Sequence, residues 1–218
     1  MPRALNRLAV LAVCLIPQGG VGAGSGPMVL VIDAASSQIL IEVGKTGMLG
    51  FAGHAHEVAA TDVRGRVTFD SADVSRTSIQ LEFPAAALRL TGKDEPAADV
   101  VEVQKVMQGE RVLDVARFPT IAFASRRVTV TPRGAGSVEV VIDGDMTLHA
   151  VTRPMTVRAT VLLDAGGRLT ARGSLVLRQT DFGMVPVTAM GGTIRVKDEL
   201  DIQFVLRTRP SDESSLPR

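Results

Sequence analysis

From residue 37 onward the chain alternates apolar and polar positions with a period of two, the signature of strands with one dry face. Ser37, Ile39, Ile41 and Val43 alternate with Gln38, Leu40 and Glu42, and Val63, Gly65, Val67 and Phe69 alternate with Asp62, Arg64, Arg66 and Thr68. The pattern recurs at Thr77, Ile79, Leu81 and Phe83, at Ile121 and Phe123, and at Val138, Val140 and Ile142. Further strands are predicted over 155–163, 169–177 and 194–207. Turn residues punctuate them at Asp33-Ala-Ala-Ser36, Pro132 to Gly136, Asp164-Ala-Gly-Gly167 and Met190-Gly-Gly192. Strands in series joined by short turns pair antiparallel, so the expected fold class is all-β, with eight or nine strands in a sandwich or a closed barrel.

One segment breaks the alternation. Val100, Val103, Val106 and Met107 fall at helical spacing, after Asp94-Glu95-Pro96 and before Gly109. One short helix is predicted there, started by a capping Asp and ended by a left-handed Gly, and lying over an open end of the barrel.

The first residues belong to a different pattern. Arg3 and Arg7 precede an unbroken apolar run, Leu8 to Ile16, and a small, Gly-rich stretch follows. Residues 1–23 therefore read as a secretory signal peptide cleaved near Ala23, because the run is far shorter than the ~20 residues of a membrane span. Residues 24–210 are the expected barrel domain and 211–218 a polar tail. Cys14, the single cysteine, follows Val13 and lacks the context of a lipid-modified residue. The exported chain is then cysteine-free, so core burial must supply its stability. A periplasmic or secreted location is expected.

Composition removes several function classes. The 218 residues are 45% apolar and 22% charged, which excludes a disordered chain, and aromatics are only 3%: seven Phe with no Trp or Tyr. Stacking platforms for sugars or single-stranded nucleic acid are therefore scarce. Lys and Arg number 24 against 23 Asp and Glu, and without Arg3 and Arg7 the balance is 22 against 23. No nucleic-acid partner is expected from such a surface.

The inward row decides what an eight-stranded barrel does, because its bore is either packed by side chains or holds one small ligand. That row contains Val43, Phe69, Ile79, Phe83 and Phe123, with flexible Met107, Met146 and Met184 near the ends. Periodicity leaves both outcomes open. Arg89, Lys93 and Arg126 lie near strand ends, where donors for a polar head group would be needed.

His54 and His56 share one face of a strand, a spacing also used by zinc sites, and His149 beside Asp145 would be the third ligand. His-x-His alone is a weak signal. Two hydrogen-bonded imidazoles lining the barrel or its mouth are the expected reading, with no metal. Enzyme signatures are missing: no Gly-x-Ser-x-Gly elbow, no cysteine after cleavage and no phosphate loop after a strand. Asp181 in Thr-Asp-Phe-Gly stands without other kinase motifs, so Gly183 is expected to turn the chain and Phe182 to fill an end of the core.

Four elements occur in order: Gly53-His-Ala-His-Glu-Val58; Val112-Leu-Asp114 with Phe118-Pro-Thr-Ile-Ala-Phe-Ala-Ser125; Gly144-Asp-Met-Thr-Leu-His149 followed by Val151-Thr-Arg-Pro154; and Thr180-Asp-Phe-Gly-Met184. Together they resemble the YceI-like polyisoprenoid-binding family over essentially the whole exported chain. The resemblance implies a secreted lipocalin-like barrel whose interior holds an isoprenoid or fatty-acyl lipid, with no other cofactor and no covalent catalysis. The expected ligand-binding residues are Val43, His54, His56, Phe69, Ile79, Phe83, Met107, Phe118, Phe123, Met146, Phe182 and Met184. Two departures stand out: the compact, Ala-rich segment 88–109, and the Gly-His-Ala-His form. The alternatives are an accessory module of a membrane b-type cytochrome that handles quinones, and a histidine-dependent metalloprotein. Oligomeric state stays open, with a dimer among the options.

Overall fold

Eight antiparallel strands follow the period-two segments in a computed structural model that describes residues 27–46, 55–70, 73–93, 95–134 and 136–211. The expected signal peptide and nearly all of the polar tail lie outside these residues. The first three strands are each broken once. Strand β1 runs Met28–Ile32 and then Gln38–Thr46, β2 runs His56–Ala60 and Arg64–Phe69, and β3 runs Ser78–Pro84 and Leu88–Leu90. The others are continuous: β4 (Thr120–Gly134), β5 (Ser137–Leu148), β6 (Val151–Leu163), β7 (Leu169–Arg178) and β8 (Ile194–Pro210).

Each strand pairs with the next in sequence, and β8 returns to β1, so the meander closes into a barrel. Both halves of β1 lie on β8: Leu30 faces Pro210, and Val43 faces Leu200. The chain does not reverse at Asp33 to Ser36, as its turn chemistry suggested. Ala34–Ser36 is a single 3-10 turn, tied by the Ser36 hydroxyl donating to Asp33 Oδ2 at 2.6 Å. Across the break, Asp33 N donates to Arg207 O at 2.9 Å and Arg207 N donates to Ser37 Oγ at 2.9 Å. The ladder therefore continues past the interruption.

Helix α1 (Ala97–Gln108) connects β3 to β4 at one end of the barrel. Its expected caps are replaced. Pro96 occupies the N-cap without a side-chain bond, and Asp94 lies outside the described residues. Gly109 has φ −78°, an ordinary extended value, and its N–H donates to Lys105 O and Val106 O. What holds the helix is a side-chain amide. Beyond Pro84 the β3 edge has left β4, and Gln104 takes the place of a strand there: its Nε2 donates to Leu88 O at 2.9 Å and its Oε1 accepts from Leu90 N at 2.8 Å. Val100, Val103 and Met107 pack from the helix onto the buried cluster.

Close strand contact elsewhere depends on glycine. A Cβ on Gly173 would meet Arg158 O and come within 2.6 Å of the Phe204 ring, and one on Gly144 would come within 2.6 Å of the Phe123 ring. Each ring thus lies across a glycine of the neighbouring strand, covering exposed backbone with apolar surface. Replacing Gly173 with Ala is expected to cost about 1–3 kcal/mol of unfolding free energy, because a backbone carbonyl cannot move aside as a side chain can. A urea-unfolding midpoint equal to that of the parent would contradict this packing.

Candidate ligand-binding site

The eight strands and α1 enclose a cavity of about 1170 Å³. Pockets for drug-sized ligands run ~300–1,000 Å³, so this chamber is larger than that range. The barrel is hollow, which resolves the alternative that periodicity left open.

Its wall is apolar from strand to strand. Val43, Phe69, Ile79, Phe83, Phe123 and Met146 face it from β1 to β5, Met107 reaches in from α1, and Met184 from the segment after β7. The wall also contains residues not singled out from the sequence. Phe204 and Ile202 of β8 and Leu175 of β7 belong to strands whose alternation was read only as a span, without assigning an inward face.

Two of the expected residues are not on the wall. Phe118 sits between α1 and β4, its ring centroid 4.1 Å from that of His149 at an interplanar angle of 60°, with the Arg117 guanidinium 5.2 Å from the same centroid. Phe182 is 2% exposed in the 3-10 turn Thr180–Phe182, before Gly183 at φ 73°. Its carbonyl lies 3.3 Å from His149 Nδ1. Both residues stand in connections that pass beyond the strand ends, off the chamber wall, where Phe182 packs into the end of the core.

His149 is likewise not a strand residue. Leu148 pairs with Val151, leaving a two-residue turn in which His149 (φ 53°) and Ala150 (φ 58°) are both left-handed, the type I′ geometry of tight hairpins. Phe118 and the Phe182 carbonyl hold its ring there. His54 lies outside the described residues.

The charged and titratable groups of the chamber gather at the helix end. Lys45, His56, Glu95, Asp99 and Glu102 line it there. His56 starts β2 opposite Val43, and its Nδ1 is 2.8 Å from Glu95 Oε2. The two side chains are 14% and 2% exposed. Glu95 Oε1 is buried and meets no hydrogen-bond partner among the described residues. At the opposite end the Thr77 hydroxyl likewise has no partner among the described residues, while Thr208 Oγ1 accepts from Leu169 N at 2.9 Å. Arg89, Lys93 and Arg126, the donors expected near strand ends, do not face the chamber. Arg89 binds the Ala86 and Leu88 carbonyls, Lys93 is 3.9 Å from Glu57, and Arg126 is 3.6 Å from Asp145.

A closed meander around an apolar chamber with one polar end defines a cavity-bearing antiparallel β-barrel. The chain belongs to the YceI-like domain family, whose match spans residues 30–208. It is 30% identical over 148 residues to a UPF0312 protein of Pseudomonas savastanoi pv. phaseolicola, covering 66% of this chain and 69% of that protein. A UPF0312 protein of Vibrio cholerae is 24% identical over 210 residues, 94% and 99% of the two chains. Among solved structures, Burkholderia cenocepacia BcnA superposes with a TM-score of 0.61 at 20% identity, over 81% of this chain and 98% of its own. A polyisoprenoid binding domain from Saccharophagus degradans gives 0.61 at 12% identity, over 84% and 99%. These likenesses carry the fold.

The Phe118 contact supplies a control for the wall. Phe118→Ala is expected to lose roughly 2 kcal/mol of stability, below the ~3–5 of a fully buried Phe→Ala because the residue is only partly buried. Uptake of a fluorescent apolar dye should stay at the parent level. A fall in uptake as large as that of a wall substitution would return Phe118 to the chamber.

Proposed function

We propose that this chain is a binding protein that carries a long-chain amphiphilic lipid, an isoprenoid or fatty-acyl chain, in the bore of its barrel and performs no covalent chemistry. The observation that carries the reading is the chamber of about 1170 Å³ walled by aliphatic and Phe side chains. Membership of the YceI-like domain family supports it, as does the likeness to a domain described as binding polyisoprenoid. Residues 1–23 have the composition of an export signal, and we place the working protein in the periplasm or outside the cell. Among the described residues no group of three His, Cys, Asp or Glu side chains is placed to hold a metal ion, which favours the carrier over a histidine-dependent metalloprotein.

Apolar burial sets the expected energetics. Each CH₂ moved from water into the chamber contributes about 0.8 kcal/mol. Against this stands the cost of immobilising the ligand, which is roughly the same for every member of a homologous series. Affinity should therefore climb from geraniol to farnesol to geranylgeraniol by titration calorimetry and level off once the bore is full. A flat series would contradict the reading.

Ile79→Trp tests the location. Ile79 lines the cavity, so the indole has room in the chamber and should occlude it without breaking the wall. The chain has no other Trp, so emission from this one reports its surroundings directly. A blue-shifted emission with at least about tenfold weaker geranylgeraniol binding, 1.4 kcal/mol, is expected. Val140→Phe on β5 is the second variant should the first fail to fold. Parent-like affinity in a folded variant would place the ligand elsewhere.

A further inference from the structure

We propose that the helix end of the chamber is a head-group site selective for a ligand that offers a hydrogen-bond donor and carries no negative charge, an alcohol or an amine on an apolar chain. This rests on the lipid-carrier reading and specifies which lipid that site accepts.

The argument starts from Glu95. Its side chain is 2% exposed and lines the cavity, Oε2 is held 2.8 Å from His56 Nδ1, and Oε1 is buried with no partner among the described residues. An ionised carboxylate is acceptor-only, and leaving one of its oxygens unsatisfied in an apolar setting is costly. The His56 bond fixes the carboxyl's orientation, so the open acceptor is positioned rather than free to turn. A ligand hydroxyl or amine that donates to Oε1 completes the site.

Charge around the site points the same way. The charged residues facing the chamber are Lys45 against Glu95, Asp99 and Glu102, beside His56, with no arginine among them. Three carboxylates against one ammonium disfavour a phosphate or carboxylate head. Repulsion from Glu95, whose side chain is 2% exposed, is weakly screened, and Asp99 and Glu102 add to it from exposed positions at the rim. Phosphate sites are built from Arg forks and helix N-termini aimed at the anion. Here an acidic residue, Asp99, occupies the first turn of α1.

The test uses the full protein and four probes with one tail: geranylgeraniol, geranylgeranylamine, geranylgeranyl methyl ether and geranylgeranyl phosphate. Alcohol and amine should bind about tenfold or more tighter than the ether, the effect of one hydrogen bond to a charged acceptor, and the phosphate should bind weakest. Amine binding tighter than alcohol identifies a cationic head, and the reverse order a neutral one; either order supports the site. In Glu95→Leu, which keeps the volume and removes the acceptor, the alcohol-to-ether ratio should fall to about threefold or less while the ether keeps its affinity.

Equal affinity for all four tails in the parent protein would overturn the head-group site and leave the carrier intact. Phosphate binding tightest would also overturn it, assigning the end to Lys45. Failure of every tail to bind would remove the carrier reading and this one together. The parent series decides by itself should the Leu variant misfold.

Discussion

The hydrogen bonds between β8 and β1 are the constraint on which the rest of the molecule depends. Without them the sheet has two open edges, each a template for pairing with another chain, and no interior at all. Closure is achieved by one long strand: β8 spans 17 residues and meets both halves of β1 while pairing with β7 on its other side. The break in β1 at Ala34–Ser36 would open the seam, and Arg207 bridges it through its own backbone N–H and C=O. Once the seam is shut, strand number alone sets a bore at the margin between filled and hollow.

Side-chain reach decides which side of that margin the barrel falls on. Inward positions are mostly Val, Ile and Leu, and β-branched side chains stay close to the backbone that bears them. The residues long enough to cross a bore are few: Phe69, Phe83, Phe123 and Phe204 on the strands. Two of these rings, Phe123 and Phe204, lie over Gly144 and Gly173, where they are drawn flat onto the wall. The lack of Trp and Tyr, read first as a shortage of stacking platforms, has a second consequence. Neither of the two bulkiest aromatic side chains is available to plug the centre.

This is also where legibility in the sequence divides. The strands and the inward faces of β1 to β5 were readable because a half-buried strand writes its geometry directly into a period of two. The emptiness of the bore was not, because it depends on distances across the barrel that no local pattern encodes. Turn chemistry was legible but not its role: Asp33 to Ser36 forms a turn, yet the chain continues in the same direction because β8 pairs on both sides of it. The helix was found from its spacing while its caps were misassigned. Glu95, next to the helix start, serves the chamber by binding His56, a residue 39 positions earlier in the chain. The polar end was sought among basic residues near strand ends. Arg89 and Arg126 instead bind local carbonyl or carboxylate oxygens, and the groups that face inward are mainly acidic.

The chamber is consequently not symmetric along its axis, and the asymmetry originates in a single connection. Segment 91–119, which leads from β3 through α1 to β4, contributes Glu95, Asp99 and Glu102 to one end of the wall together with Val103, Val106 and Met107. The same connection replaces the missing strand beside Leu88–Leu90 through Gln104. Position and polarity are therefore coupled: lifting α1 would strip the β3 edge of its amide partner and separate His56 from Glu95 in one movement. Buried polar groups that lose their partners are expensive. Two such sites, Gln104 on the strand edge and Glu95 on His56, hold the helix in register even though none of its residues is fully buried. Apolar packing, which is non-directional, could hold α1 against the barrel in several orientations. The polar contacts select the one that turns its acidic residues toward the bore.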